Sequence, residues 1–267
     1  MFEYALYSSF IQRGVAAKID ISMYSEQQCH NGYELERIFN IKGIYCTPGE
    51  KKVAKVLGKI LYLTVKHPYK ERPVDQYIFN RKISAMSFGF LKGYWQSEKY
   101  FKNAEGLIRQ KLSFPEITDA VNKETLQRIQ SSNSVSLHVR RGDYLTDGRA
   151  CTLGLNYYNA AISHLKEKTK DLVFYVFSDD IEWARQNVRE ASTVFINGNK
   201  GDKSYIDMQL MSACKHNIIA NSSFSWWAAW LNNNASKIVI APQIWMPDMK
   251  NTRDLIPESW VQLPNEF

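Results

Sequence analysis

No stretch of this 267-residue chain stays apolar long enough to span a bilayer, and the amino terminus, Met1-Phe2-Glu3-Tyr4, lacks a signal-peptide pattern. A cytoplasmic location is the simplest expectation. Cysteine is equally sparse. Cys29, Cys46, Cys151 and Cys214 lie far apart with no C-x-x-C pair, which excludes a zinc ribbon or a dithiol redox motif. Cys29-His30 is the one Cys/His contiguity, and a lone pair of ligands does not make a metal site, so free thiols are expected. Low-complexity tracts are absent, and no RNA- or DNA-binding signature accompanies the basic residues, so nucleic acid is not an expected partner.

What is present is the composition of a globular protein, 45% hydrophobic and 23% charged, with length for two medium cores. The net charge of +7 is unevenly placed: residues 1–133 carry 20 Lys/Arg against 13 Asp/Glu, and residues 134–267 carry 14 of each. From Lys42 to Arg72 there are eight basic residues and two acidic ones. Within this stretch Val53, Val56, Leu57, Ile60 and Leu61 recur at helical spacing beside Lys51, Lys52, Lys55 and Lys59. Such a helix suits the surface of an anionic membrane, or it is a solvated helix whose apolar stripe packs on its own domain.

Phe2, Leu6, Phe10 and Ile11 predict a helix over residues 1 to about 15, with a strand-like run, Ala16 to Ile21, after Gly14. Gly93-Tyr94-Trp95-Gln96-Ser97-Glu98-Lys99-Tyr100-Phe101 sets aromatic faces beside amide and carboxylate groups, a mixture that suits sugars, although such rings are equally core with polar tips. Residues 115–133 are polar and read as a linker, dividing the chain into domains 1–133 and 134–267.

The second half alternates strand-like segments, Ser134 to Val139, Leu172 to Phe177, Thr193 to Asn197, Asn217 to Ala220 and Lys237 to Ala241, with helical stretches at 155–168, 181–190, 204–214 and 224–233. This pattern predicts an α/β fold with a parallel sheet covered on both faces. Right-handed crossovers then bring every strand's carboxyl end to one edge. There the first strand delivers His138-Val139-Arg140-Arg141-Gly142-Asp143-Tyr144, the second Ser178, Asp179 and Asp180, and the fourth Asn221, Ser222 and Ser223. Two guanidinium forks suit a phosphate, or one of them forms an ordinary ion pair with Asp143 or another carboxylate. Asp179 reads as a helix cap, with Glu182 completing a capping box, or as an acceptor for a guanine edge or ribose hydroxyls. Asn221-Ser222-Ser223 opens a helix whose amino terminus offers N–H groups and hydroxyls to an anion. Trp226, Trp227 and Trp230 read as packing.

HVRRGDY (138–144), FYVFSDD (174–180) and DMQLMSACKHNIIANSSFSWWAAWL (207–231) resemble the signature blocks of the alpha-1,2-fucosyltransferases, glycosyltransferase family 11, and GYWQSEKYF (93–101) resembles that family's N-terminal half. The resemblance implies a GT-B arrangement of two Rossmann-like domains facing a cleft. It assigns residues 1–133 to the acceptor and 134–267 to GDP-fucose, with about the last 20 residues packing back on the first domain. It implies inverting transfer of fucose from GDP-fucose to the 2-hydroxyl of a galactose-terminated oligosaccharide or lipid-linked glycan. No cofactor or metal is implied, in keeping with the absence of a D-x-D pattern.

By matching position the resemblance makes Arg140 and Arg141 the diphosphate clamp and Asp143 the base or a strut for the arginines. Ser178, Asp179, Asp180 and Asp207 become guanine and ribose contacts, Asn221, Ser222 and Ser223 the phosphate site, and His138 a loop-orienting or nucleotide-touching group. Trp95, Gln96 and Tyr144 are the acceptor-side candidates. Family members ordinarily open with a strand and a G-G-x-G-N-Q loop ahead of a Met-Phe-x-Tyr-Ala segment, and this chain begins at that segment, so its N-terminal domain is expected to lack the usual first strand. A GDP-sugar-binding pseudoenzyme and a fucosyltransferase of another linkage, whose members share a similar His-x-Arg-Arg motif, remain the alternatives.

Overall fold

The computed structural model describes residues 1–26, 32–65, 70–72, 75–146, 151–248 and 251–266, and the Cys29-His30 contiguity lies outside them. The chain divides into two compact units, Met1–Pro115 with Asn251–Pro257, and Glu116–Lys250 with Glu258–Phe267.

The first unit is helical. α1 (Phe2–Gln12) buries Phe2, Leu6 and Phe10 as their spacing requires, with Phe2 against Phe101 at 6.3 Å between ring centroids, while Ile11 is exposed. α2 (Ser22–Glu26), α3 (Leu35–Phe39), α4 (Pro48–Val65), α5 (Arg81–Ser84) and α6 (Glu105–Lys111) follow. Ala16 to Ile21 does not form a strand, because only Ile19 finds a partner, in an isolated bridge to Tyr45. A second isolated bridge joins Lys70 to Lys92. Tyr100 closes the interior of this unit, its hydroxyl donating to the carbonyl of Ile78 and accepting from the N–H of Asn80.

α4 does not lay its apolar stripe on its own unit. Gly58 is its one buried position with a described side-chain environment, whereas Val53, Val56, Leu57, Ile60 and Leu63 are all at least half exposed. At 100° per residue those five fall within one third of the helix circumference, opposite Gly58, with Lys52 and Lys59 along the edge beside Val56 and Leu63, and Glu50 along the edge beside Leu57.

The second unit begins with α7 (Ala120–Ser131), in the stretch that reads as a linker. Asp119 caps it, its carboxylate accepting from the N–H of Asn122 at 2.9 Å. Strands β1 (Asn133–Val139), β2 (Leu172–Ser178), β3 (Thr193–Ile196), β4 (His216–Ile218), β5 (Val239–Pro242) and β6 (Val261–Leu263) then form a parallel sheet in the order β3-β2-β1-β4-β5-β6. The connecting helices are α8 (Leu155–Lys168), α9 (Ile181–Asn187), α10 (Tyr205–Ala213) and α11 (Ser223–Leu231).

β1 shows why this half folds as it does. Val135, Leu137 and Val139 join one apolar core with Tyr157, Tyr158, Ala161 and Leu165 of α8. The alternate residues Ser134, Ser136 and His138 face the other side and are also buried. There Ser134 accepts from the N–H of Lys215, and Ser136 accepts from Asn217 at 2.7 Å. Because β1 pairs with β2 on one side and β4 on the other, the strand order reverses between β1 and β4. In an open α/β sheet the crevice beyond the carboxyl ends at such a point is where ligands bind.

Candidate functional site

Residues from both strands at the reversal converge on that edge. The loop after β1 turns at Gly142, where a Cβ would lie 2.6 Å from Asp179 Oδ2, so no larger residue fits while Asp179 holds its place. Tyr144 donates to the carbonyl of Asn221 at 3.1 Å, joining the loop after β1 to the loop after β4. Asn221 is fully buried and its amide donates to the carbonyls of Cys151 and Trp245, both at 3.0 Å.

Each arginine is braced by carboxylates from the loop after β2. Arg140 Nη1 lies 2.9 Å from Asp179 Oδ2 and its Nη2 donates to Asp143 Oδ1 at 2.7 Å, while its Nε is buried with no hydrogen-bond partner among the described residues. Asp179 Oδ1 also accepts from the backbone N–H of Arg141 at 2.9 Å. Arg141 Nε donates to Asp180 Oδ2 at 3.2 Å, and its guanidinium carbon sits over Trp183, 4.1 Å from the ring centroid. One edge of that guanidinium is thereby tied and one face covered. The edge carrying Nη1 and Nη2 has no partner among the described residues, which is the half of the fork a phosphate can take in bidentate fashion.

The capping assignment shifts by one residue. Asp180, not Asp179, caps α9, accepting from the N–H of Trp183 at 3.2 Å, and Ser178 accepts from the N–H of Asp180 at 3.0 Å. Asp179 belongs to the arginine loop instead. Asp143 sits as a strut on Arg140 and is half exposed.

His138 is buried on the α11 side of the sheet, its ring 5.8 Å from that of Phe224. Burial and the neighbouring Arg140 charge hold its pKa down, to about 3, so the imidazole is neutral at physiological pH. Ser222 caps α11, accepting from the N–H of Phe224 at 3.3 Å, and Ser223 is exposed at the first helical position. Trp226, Trp227 and Trp230 pack on one another, and Trp226 also packs on Trp260. Asp207, in the first turn of α10, accepts from Asn199 at 2.8 Å, and Asn199 exchanges two further bonds with Asn122. Burial raises the Asp207 pKa to about 7.

Trp95 is buried against Tyr100 in the first unit, and the exposed ring of that stretch is Tyr94. Gln96 is half-buried. Sequence reasoning missed Trp183, which carries the Arg141 stack, and a carboxylate beside Trp95, Glu71. An aromatic three residues after a capping Asp was the available signal for Trp183. Glu71 carried none, because its partners are backbone groups.

An open parallel sheet whose order reverses beside a braced, part-open arginine fork defines an α/β protein with cationic donors at the crevice where such sheets bind ligands. The chain belongs to glycosyl transferase family 11, whose model matches residues 66–263. It is 35% identical to an alpha-1,2-colitosyltransferase of Escherichia coli over 98% of this chain and 94% of that protein. It is 41% identical to the O-antigen biosynthesis glycosyltransferase WbnK of Escherichia coli over 50% of this chain and 46% of that protein. It is 25% identical to galactoside alpha-(1,2)-fucosyltransferase 1 of Lagothrix lagotricha, over 63% of this chain and 49% of that protein. The chain thus spans nearly all of the first relative and about half the length of the other two. It is a glycosyltransferase-family protein of α/β fold, and the family implies a nucleotide-sugar donor and a glycan acceptor.

Proposed function

We propose that the protein transfers L-fucose from GDP-fucose to the 2-hydroxyl of a terminal galactoside, with inversion and without a metal ion, in glycan or O-antigen synthesis. The observation that carries this reading is the part-open fork of Arg141, held by Asp180 and Trp183 at the point where the strand order reverses. Inversion has the acceptor oxygen attack the anomeric carbon opposite the diphosphate. The carbon–oxygen bond breaks, its electron pair leaves with GDP, the proton of the acceptor hydroxyl passes to Asp143 or to solvent, and preorganised cationic donors stabilise the charge that develops. Arg141 is the donor on the open side. Arg140, tied to two carboxylates, sets the geometry of the loop, and the N–H groups and hydroxyl at the start of α11 supply further phosphate contacts.

A second reading, GDP-colitose as donor, is favoured by the 35% identity to a colitosyltransferase. Colitose differs from fucose in lacking the 3-hydroxyl. A site that hydrogen-bonds a hydroxyl rejects the analogue without it strongly, whereas a site that leaves the hydroxyl unbonded discriminates little. Incubation of each GDP-sugar with lactose in EDTA, with product linkage read by NMR, tests both readings. A 2-fucosylated product formed faster than its colitosyl counterpart is expected. A large preference for GDP-colitose moves the assignment to the second reading, and tight GDP binding without transfer from either donor identifies a pseudoenzyme.

The same reading includes peripheral contact of residues 42–72 with an anionic membrane on the cytoplasmic face. It is supported by the exposed apolar stripe of α4 and the lysines along one edge of it; no described helix is long and apolar enough to cross a membrane.

A further inference from the structure

One carboxylate of the first unit is held by backbone rather than by a cation. Glu71 N–H donates to the carbonyl of Lys92 at 2.8 Å, and its carboxylate accepts from the N–H groups of Tyr94 at 2.6 Å and Trp95 at 3.1 Å. No Lys or Arg among the described residues forms an ion pair with it. The segment that supplies these donors is built tightly. At Gly93 a Cβ would strike the Glu71 Cβ and lie 2.8 Å from Glu71 Oε2 and 2.9 Å from Trp95 Cζ2. Trp95 has φ 52, the left-handed region, which a bulky residue adopts at a cost of about 1–3 kcal/mol. Burial of its indole against Tyr100, 6.1 Å between ring centroids, holds it there.

Burial, opposed by the two N–H bonds and reinforced by the facing charges of Glu3 and Asp75, raises the Glu71 pKa to about 7. Tyr100 faces the same carboxylate and is neutral, its own pKa pushed up by burial. A carboxylate serving only as a strut needs no strained neighbour and gains from a cation, which Glu71 does not find among the described residues. Tyr94, whose backbone N–H binds this carboxylate, is 57% exposed, so an aromatic residue open to solvent stands one residue's reach from a hydrogen-bond acceptor. That pairing is the chemistry of a pyranose site, where a ring stacks on C–H groups and a carboxylate accepts from hydroxyls.

We propose that Glu71 and Tyr94 form a sugar subsite of the first unit for the acceptor glycan, with Tyr94 stacking on one pyranose face and Glu71 accepting a hydrogen bond from a ring hydroxyl. The inference rests on the transferase reading for its substrate class but is tested by binding as well as by rate. In the full chain, Glu71→Gln raises the KM for lactose about tenfold, the loss of one charged hydrogen bond, and leaves the KM for GDP-fucose unchanged. In the unsubstituted protein the lactose KM rises as pH falls from 8 to 6, because protonation takes the charge off the acceptor and turns one of its oxygens into a donor, and in Glu71→Gln this dependence disappears. Tyr94→Ala, a surface change that leaves the fold intact, raises the lactose KM and keeps the pH dependence.

Saturation-transfer NMR with lactose separates the two ideas. If the unsubstituted protein transfers no sugar yet shows a lactose signal that both variants lose, the transferase reading fails and the subsite stands. No lactose signal, unchanged acceptor KM in Tyr94→Ala, or equal effects on donor and acceptor in both variants overturns the subsite.

Discussion

Arg140 and Arg141 are adjacent in sequence and unlike in what surrounds them. Arg140 spends both terminal nitrogens on Asp179 and Asp143, whereas Arg141 spends only Nε and keeps the other edge free of described partners. Arg141→Ala is expected to lower kcat with GDP-fucose at least about a hundredfold, the usual cost of removing one preorganised donor to developing charge. Arg141→Lys is expected to recover little, since an ammonium can neither fork onto a phosphate nor reproduce the guanidinium's place over Trp183. Initial rates at saturating acceptor decide it, and near-normal turnover in Arg141→Ala removes the clamp role. At this scale the sequence showed which residues gather at the sheet edge but not how they divide the work. HVRRGDY and FSDD are visible as blocks. That Asp179 turns to the arginine loop while Asp180 takes the cap depends on the register of β1 beside β2, which pairs Val139 with Ser178.

Elements whose pattern matched their environment were legible. β1, β2, β3 and the helices between them follow from alternation and period, because each buries one face or both. α7 was not, since of its apolar residues Val121 is exposed and Ile129 buried, too thin a stripe to distinguish from a polar linker. β6 escaped because three residues ahead of a proline carry no period. α4 is the converse case, a clear period whose apolar face stays exposed. It is expected to bind vesicles containing anionic lipid and to ignore neutral ones. In a sedimentation assay, Leu57→Asp with Ile60→Asp abolishes this binding, and Lys52→Glu with Lys59→Glu removes its dependence on anionic lipid. Concentration-dependent self-association in place of vesicle binding would overturn the membrane reading.

At the scale of the molecule, two buried ionisable groups give the second unit opposed responses to pH. His138 takes a proton near pH 6.5 when unfolded and only near pH 3 when folded. Between these values the unfolded chain binds more protons, so stability falls as pH drops through that window. Asp207 behaves in the opposite sense. Its folded carboxyl keeps a proton up to about pH 7 that the unfolded one loses near 3.8, so its contribution is present at low pH and is lost as pH rises. His138→Asn is expected to flatten or invert the loss of stability between pH 7 and pH 5, measured as the urea midpoint at each pH. An unchanged slope would show that His138 titrates in the folded protein.

The strand reversal that makes the site also has a consequence for how the chain reaches its native state. β1 pairs with β2 across one helical connection, but its pairing with β4 joins Val135 to His216. Contacts so distant in sequence pay loop-closure entropy before they return any stabilisation, and they form late. An intermediate carrying β1, β2 and β3 would hold Arg140, Arg141, Asp179 and Asp180 in their final register. It would still lack the loop after β4, to which Tyr144 ties the arginines. The braced arginines are therefore expected early in folding and the crevice they serve late, an order that pulse-labelling hydrogen exchange at β2 and β4 checks.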